Sequence, residues 1–238
     1  MEVEGLRLEP SASTLTVTID SGEGNLFTAQ MMDALVDAVI QAGRDEQTRF
    51  VRIRAEGETF CKGRGKGGTN PDEMRAMATR ISTVNETLRS TPLTVITEVN
   101  GAAAGFGVGM VGASDIAVAA EGATFQFPEI LAGFAPAVVI SWARYMLPPR
   151  LLYDMVSTGE AIDAPRALDA GLVTEVVPAA ALGDRIDERI ARLEEIDAFA
   201  LREMKRFLVY TRAMDPATAS KASVDALVFS GLRVIGKF

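Results

Sequence analysis

The stretch TLTVTI sets Leu15, Val17 and Ile19 against threonines, the two-residue alternation of a strand with one face covered. After the turn DSGEGN, Met31, Met32, Leu35, Val36, Val39 and Ile40 recur at spacings of three and four, which predicts an amphipathic helix. RFVRIRA is again strand-like. It runs into a loop dense in Gly and Lys, and a helix is expected to start near PDEM, with Pro71 and Asp72 as start signals. LTVITEV and DIAVAA have the β-propensity of buried strands. Pro148 and Pro149 separate two helical stretches, and AIDAPRALDAGLVTEVVP reads as helix, glycine stop at Gly171, then a short strand. From Ala179 onward the pattern is mainly helical, with ALREMKRFLVYTRAM and PATASKASVDALVFSGL as separate elements.

Strands and helices thus alternate over about three-quarters of the chain and helices dominate the rest, the order of an α/β core with a helical C-terminal extension. No internal repeat or low-complexity linker marks a domain cut. With 48% hydrophobic and 24% charged residues in 238, the chain has enough apolar surface to close a sizeable core. The net charge of −8, without a basic block, argues against nucleic acid as a partner. The start MEVEGLRLEP lacks the basic and apolar regions of a secretion signal. The longest small-apolar run, residues 101–113, is too short to cross a bilayer, so a cytoplasmic protein without a membrane partner is expected. The single cysteine, Cys61, excludes an intrachain disulfide. Most informative is the absence of histidine. It removes Ser-His-Asp and Cys-His machinery and the usual zinc sites, so no metal is expected and proton transfer falls to Asp, Glu, Lys, Tyr or Cys.

GVGMVG, residues 107–112, has the G-x-G-x-x-G spacing of a dinucleotide-binding turn, with Glu129 some twenty positions on. A nucleotide fold needs a crossover helix between that turn and the next strand. Here the next strand starts at Asp115 or Ile116, and no such helix fits. A short helix entered directly from a strand still offers unpaired N–H groups and the positive end of its dipole, which suit a developing oxyanion as well as a phosphate.

Four stretches, ETFCKGR, VNGAAAGFGVGMVGASDIAVA, ATFQFPEI and STGEAIDAPRALDAGLVTEVVP, together resemble the crotonase superfamily, the enoyl-CoA hydratase/isomerase family. The resemblance runs from about Leu15 to Val177. It implies an α/β fold in which a spiral of ββα units forms a CoA-binding core over residues 1–178. A helical region over 179–238 takes part in trimerisation, as a homotrimer or a dimer of trimers. It implies an acyl-CoA thioester as partner and no cofactor beyond the coenzyme A of the substrate. Two backbone N–H groups, at Arg64 and Phe106 in this sequence, form the oxyanion hole, and Glu129 is the catalytic base. Asn25, Leu26, Lys62, Gly63, Arg64 and Lys66 are expected to bind CoA, the cations facing its phosphates, although a solvated loop would have the same composition. Phe106, Phe134 and Pro136 are expected to line the acyl pocket, with Phe106 narrowing it.

Family hydratases carry a second glutamate, which falls on Gly109 here and is missing. A single carboxylate can still carry a proton from C2 to C4, so the resemblance favours an enoyl-CoA double-bond isomerase. Hydration of an enoyl- or cyclic dienoyl-CoA is the alternative. Decarboxylation through a thioester enolate, a non-catalytic acyl-CoA-binding homologue and a nicotinamide oxidoreductase are further readings. Burial against Phe125, Phe127 and Phe134 would raise the pKa of Glu129. Asp115 reads as a helix–strand junction residue, and Trp142, Tyr145 and Cys61 as packing residues.

Overall fold

The computed structural model describes residues 2–65 and 67–236. An N-terminal antiparallel meander, β1 (Glu2–Val3), β2 (Leu6–Ser11) and β3 (Thr14–Ile19), leads into α1 (Ala29–Arg44). Thr28 caps α1 by accepting a hydrogen bond from the Met31 amide. Three ββα passages follow: β4 (Phe50–Ala55), β5 (Thr59–Cys61) and α2 (Pro71–Ser90); then β6 (Thr94–Val99), β7 (Ala102–Ala104) and α3 (Phe106–Ala113). The third comprises β8 (Ile116–Ala120), β9 (Thr124–Gln126) and, after a 3₁₀ turn at Pro128–Ala132, α4 (Ala137–Ala143). The chain continues through α5 (Pro149–Thr158), β10 (Ile162–Asp163), α6 (Ala164–Asp169), β11 (Glu175–Val177), α7 (Leu182–Glu194), α8 (Ala198–Thr211) and α9 (Pro216–Val234).

The first strand of each ββα unit joins one sheet and the second joins another. The large sheet runs β1-β2-β3-β4-β6-β8-β11, parallel from β3 onward. The small sheet runs β10-β9-β7-β5, with only the β10–β9 pair antiparallel. The ββα passage therefore repeats in space although the sequence shows no repeat.

Alternation along the large sheet feeds two cores, as a pleated strand requires. Val51, Val95, Ala117 and Ala119 join the main cluster, whereas Phe50, Ile96 and Val118 meet Leu182 and Ile186 of α7. β6 and β8 are covered on both faces, and β8 reads as a continuous apolar run. Arg52 fastens α7 to the sheet, bonding Glu98 on β6 and Asp187 on α7. The tail helix α8 is fixed by Lys205, 4% exposed, whose ammonium reaches the Leu93 carbonyl at 2.6 Å, the Leu88 carbonyl at 3.3 Å and Asp115 Oδ2 at 2.7 Å. Asp115 also accepts from the Val95 amide, so it occupies the helix–strand junction as its position implied.

Several residues outside this core are apolar and exposed: Leu208 and Tyr210 on α8, and Val224, Leu227 and Val228 on α9. Among the described residues no helix is long and apolar enough to cross a membrane.

Candidate active site

The site begins where β5 ends. The Phe27 amide donates to the Gly63 carbonyl at 3.0 Å and the Gly65 amide donates to the Phe27 carbonyl at 2.8 Å. Successive residues of an extended strand point their N–H groups to opposite sides, so the Arg64 N–H is directed away from Phe27. Gly63, at φ 122°, provides the turn that a side chain would oppose.

The second amide comes from α3. Gly105 stands before it at φ 50°, and the Gly105 amide is tied to the Gln126 carbonyl at 2.9 Å. Phe106 opens the helix, so its N–H has no intrahelical acceptor.

Each glycine of GVGMVG has a packing reason. A Cβ on Gly107 would overlap the Cys61 carbonyl, so the missing side chain lets α3 lie directly on β5. That contact brings the Arg64 and Phe106 amides to one cavity wall. A Cβ on Gly112 would fall 2.6 Å from Cζ3 of Trp142, and one on Gly109 would fall 3.1 Å from Oδ1 of Asn85. These glycines fit close helix packing, and no phosphate cradle is needed to explain them.

Glu129 sits on the 3₁₀ turn after β9, with Oε1 2.9 Å from where a Cβ of Gly105 would lie. A side chain at residue 105 would therefore displace the carboxylate. Oε2 is buried without a hydrogen-bond partner among the described residues. Burial pushes the Glu129 pKa up, while its own backbone amide and the charge of Arg64 pull it back. The expected rise is thus present, but Phe134 contributes less cover than anticipated, being 55% exposed.

The cavity that joins these groups measures about 930 Å³. Met74, Met77 and Ile81 of α2 form one apolar wall, and Phe134, Pro136 and Val139 another. Leu26, Lys62, Gly63, Arg64, Phe106, Glu129, Phe134 and Pro136, all singled out in the sequence, line it. The Phe106 ring packs on Phe27 with centroids 5.1 Å apart, and Phe106 is 5% exposed.

Asn25 is placed differently. It does not line the cavity, and both amide hydrogens are used, on the carbonyls of Glu56 at 2.9 Å and Thr59 at 2.7 Å. With φ 49° it shapes the turn that presents Leu26. Lys66 lies outside the described residues. Cys61 is buried and its thiol is pushed up to about 12 by that burial, which makes it a packing residue.

One lining residue was not anticipated. Asn85, on the buried face of α2, is 5% exposed, and neither Oδ1 nor Nδ2 has a partner among the described residues. Its sequence signal is an amide among Ile81, Val84 and Leu88, the helical seam that packs toward the core. Glu129 thus lies against Gly105, which precedes α3, and Asn85 lies against Gly109 within it.

The profile of the enoyl-CoA hydratase/isomerase family matches residues 9–232 of this sequence. The chain belongs to the enoyl-CoA hydratase/isomerase family. Among curated family proteins it is 33% identical over 192 residues to the (7aS)-7a-methyl-1,5-dioxo-2,3,5,6,7,7a-hexahydro-1H-indene-carboxyl-CoA hydrolase of Mycobacterium tuberculosis, covering 77% of this chain and 74% of that protein. It is 29% identical over 223 residues to the carnitinyl-CoA dehydratase of Salmonella arizonae, covering 89% and 82% of the two chains. The crystal structure of an enoyl-CoA hydratase from Mycobacterium smegmatis superposes with a TM-score of 0.91 at 23% identity, covering 96% of this chain and 91% of that one. Human enoyl-CoA hydratase domain-containing protein 3 also gives 0.91, at 22% identity and with 97% and 92% covered. These superpositions show the crotonase fold of the family.

Proposed function

We propose that this crotonase-family acyl-CoA enzyme forms a thioester enolate between the Arg64 and Phe106 amides, with Glu129 as its one base, and that it moves an enoyl double bond. The observation that carries this reading is a carboxylate with one unpartnered oxygen and a burial-raised pKa, beside two amides that face the same cavity. Among the described residues lining that cavity, Glu129 is the only carboxylate. Lys62 and the Arg64 side chain, at the rim beside Leu26, are assigned to the CoA phosphates.

The chemistry follows from that placement. The thioester oxygen accepts from both amides, and the negative charge that develops there is stabilised by donors already in position. Removing one such donor typically costs about 3 kcal/mol of barrier. Glu129 takes the C2 proton of a 3-enoyl thioester, the electron pair delocalises onto the thioester oxygen, and the same carboxyl returns the proton at C4. Proton and charge balance with one group, and no second acid is required.

A second reading is favoured by the relatives, whose names describe a hydrolase and a dehydratase. In it Glu129 takes a proton from water as the water oxygen bonds to C3, the C2–C3 electron pair passes into the thioester enolate, and Glu129 then delivers the proton to C2. Incubating 2-enoyl, 3-enoyl and cyclic dienoyl thioesters in heavy water separates the two. A product with the double bond moved and its oxygen content unchanged supports isomerisation, and a product heavier by one water supports the alternative. Binding without any turnover across the panel would leave a non-catalytic homologue and contradict both.

Self-association as a trimer is part of this proposal, supported by the exposed apolar residues of α8 and α9. Sedimentation equilibrium that returned only a monomer would contradict it.

A further inference from the structure

A second cavity of about 850 Å³ lies between α2, α4 and α8 and shares Asn85, Val138 and Trp142 with the first. Asn85 therefore borders both. Arg89, one turn further along α2, lines the second cavity. Its Nε and Nη2 are buried with no hydrogen-bond acceptor among the described residues. The guanidinium stacks over Trp142 at 5.7 Å, and Arg212, from the segment after α8, lies over Tyr145 at 5.3 Å.

The charges around this cavity do not cancel. Lys205 and Asp115, which also line it, satisfy each other. Glu86 is the one acid that offsets Arg89, while Arg212 repels it, and burial followed by that repulsion lowers the Arg89 pKa. Two cations facing one space, one of them with orphaned buried donors, form an unusual arrangement in a chain of net charge −8. A guanidinium presents parallel N–H donors whose spacing matches a carboxylate. The two cavities share Asn85, Val138 and Trp142, so an acyl chain held at the Arg64/Phe106 amides beside Glu129 has this second cavity as its neighbour.

We propose that the second cavity binds a carboxylate at the far end of the acyl group, held by Arg89 and Arg212. The substrate class is then a thioester of a dicarboxylic acid and not of a simple fatty acid. This rests on the reading of Arg64 and Phe106 as the thioester site.

The test compares two series of unsaturated acyl-CoA thioesters of increasing length, one ending in methyl and one in carboxylate. At the length that reaches Arg89, kcat/KM is expected to favour the carboxylate by at least about tenfold, the equivalent of 1.4 kcal/mol. Arg89→Met should bring the ratio of the two series to about one. Arg212→Met, at an exposed position, should reduce the ratio less and guards against misfolding of the first variant. Equal or better use of methyl-ended thioesters at every length, or a preference that survives Arg89→Met, overturns the carboxylate site while leaving the enolate chemistry standing. Failure of every thioester to bind or react overturns both together.

Discussion

Glu129 is held between opposing influences, and the balance sets its pH behaviour. Burial disfavours its charged form and moves its pKa above the ordinary 4.5, while Arg64 favours the charged form. As a base it must be ionised, so kcat/KM is expected to rise with pH through a limb lying above 4.5. Arg64→Gln keeps the backbone donor and removes the cation, so the limb should move to higher pH. A profile that starts below 4.5, or one that Arg64→Gln shifts downward, would contradict this. Stability follows the same proton. Between 4.5 and the raised value the folded chain holds a proton that the unfolded chain has lost, so this group's contribution to stability falls as pH rises through that window.

At this scale the sequence was informative where a motif fixed a residue's neighbours. Glu129 and Gly109 were singled out because PE and GVGMVG resemble motifs of the family. Asn85 and Arg89 were not, because they lie in an unremarkable helical run, NETLRS, and matter only through what α3, α4 and α8 place opposite them. Asn25 shows the reverse, a motif residue whose amide is spent on the loop itself.

Among the elements, the long parallel strands and the helices were legible and the small sheet was not. Strands β5, β7, β9 and β10 are two or three residues each, too short for an alternation to register. Helix α3 is buried on every side and so has no polar face to give a helical period. Its existence was inferred from the absence of space for anything longer before β8. The attachment of α8 was also invisible, since a lysine in ALREMKRF reads as solvated until Leu88, Leu93 and Asp115 surround it. Burial, the larger influence, pushes Asp115 up and Lys205 down, and each partner's charge opposes that shift. Lys205→Met leaves Asp115 and two carbonyls without their donor. It should destabilise the fold by about 3 kcal/mol in denaturant unfolding. An unchanged midpoint would mean that α8 is held by its apolar contacts alone.

For the whole molecule, the two sheets and the glycine helix converge on one cavity. The first strands of the ββα units form the frame, the second strands β5 and β7 bring Arg64 and Phe106 together, and β9 delivers Glu129. The repeat is one of path and not of residues, which is why composition and periodicity could show an α/β order but not the spiral. The central claim is that Glu129 transfers the C2 proton of a thioester bound at the two amides. It is tested most directly by following deuterium entry at C2 of a 3-enoyl-CoA in heavy water, for the wild-type protein and Glu129→Gln, with thioester affinity measured in parallel. The wild-type protein should exchange C2, and Glu129→Gln should lose that rate by about 10²–10⁴-fold while still binding the thioester. Proton transfer by Glu129→Gln at the wild-type rate, or a wild-type protein that binds the thioester and neither exchanges C2 nor moves the double bond, would contradict it.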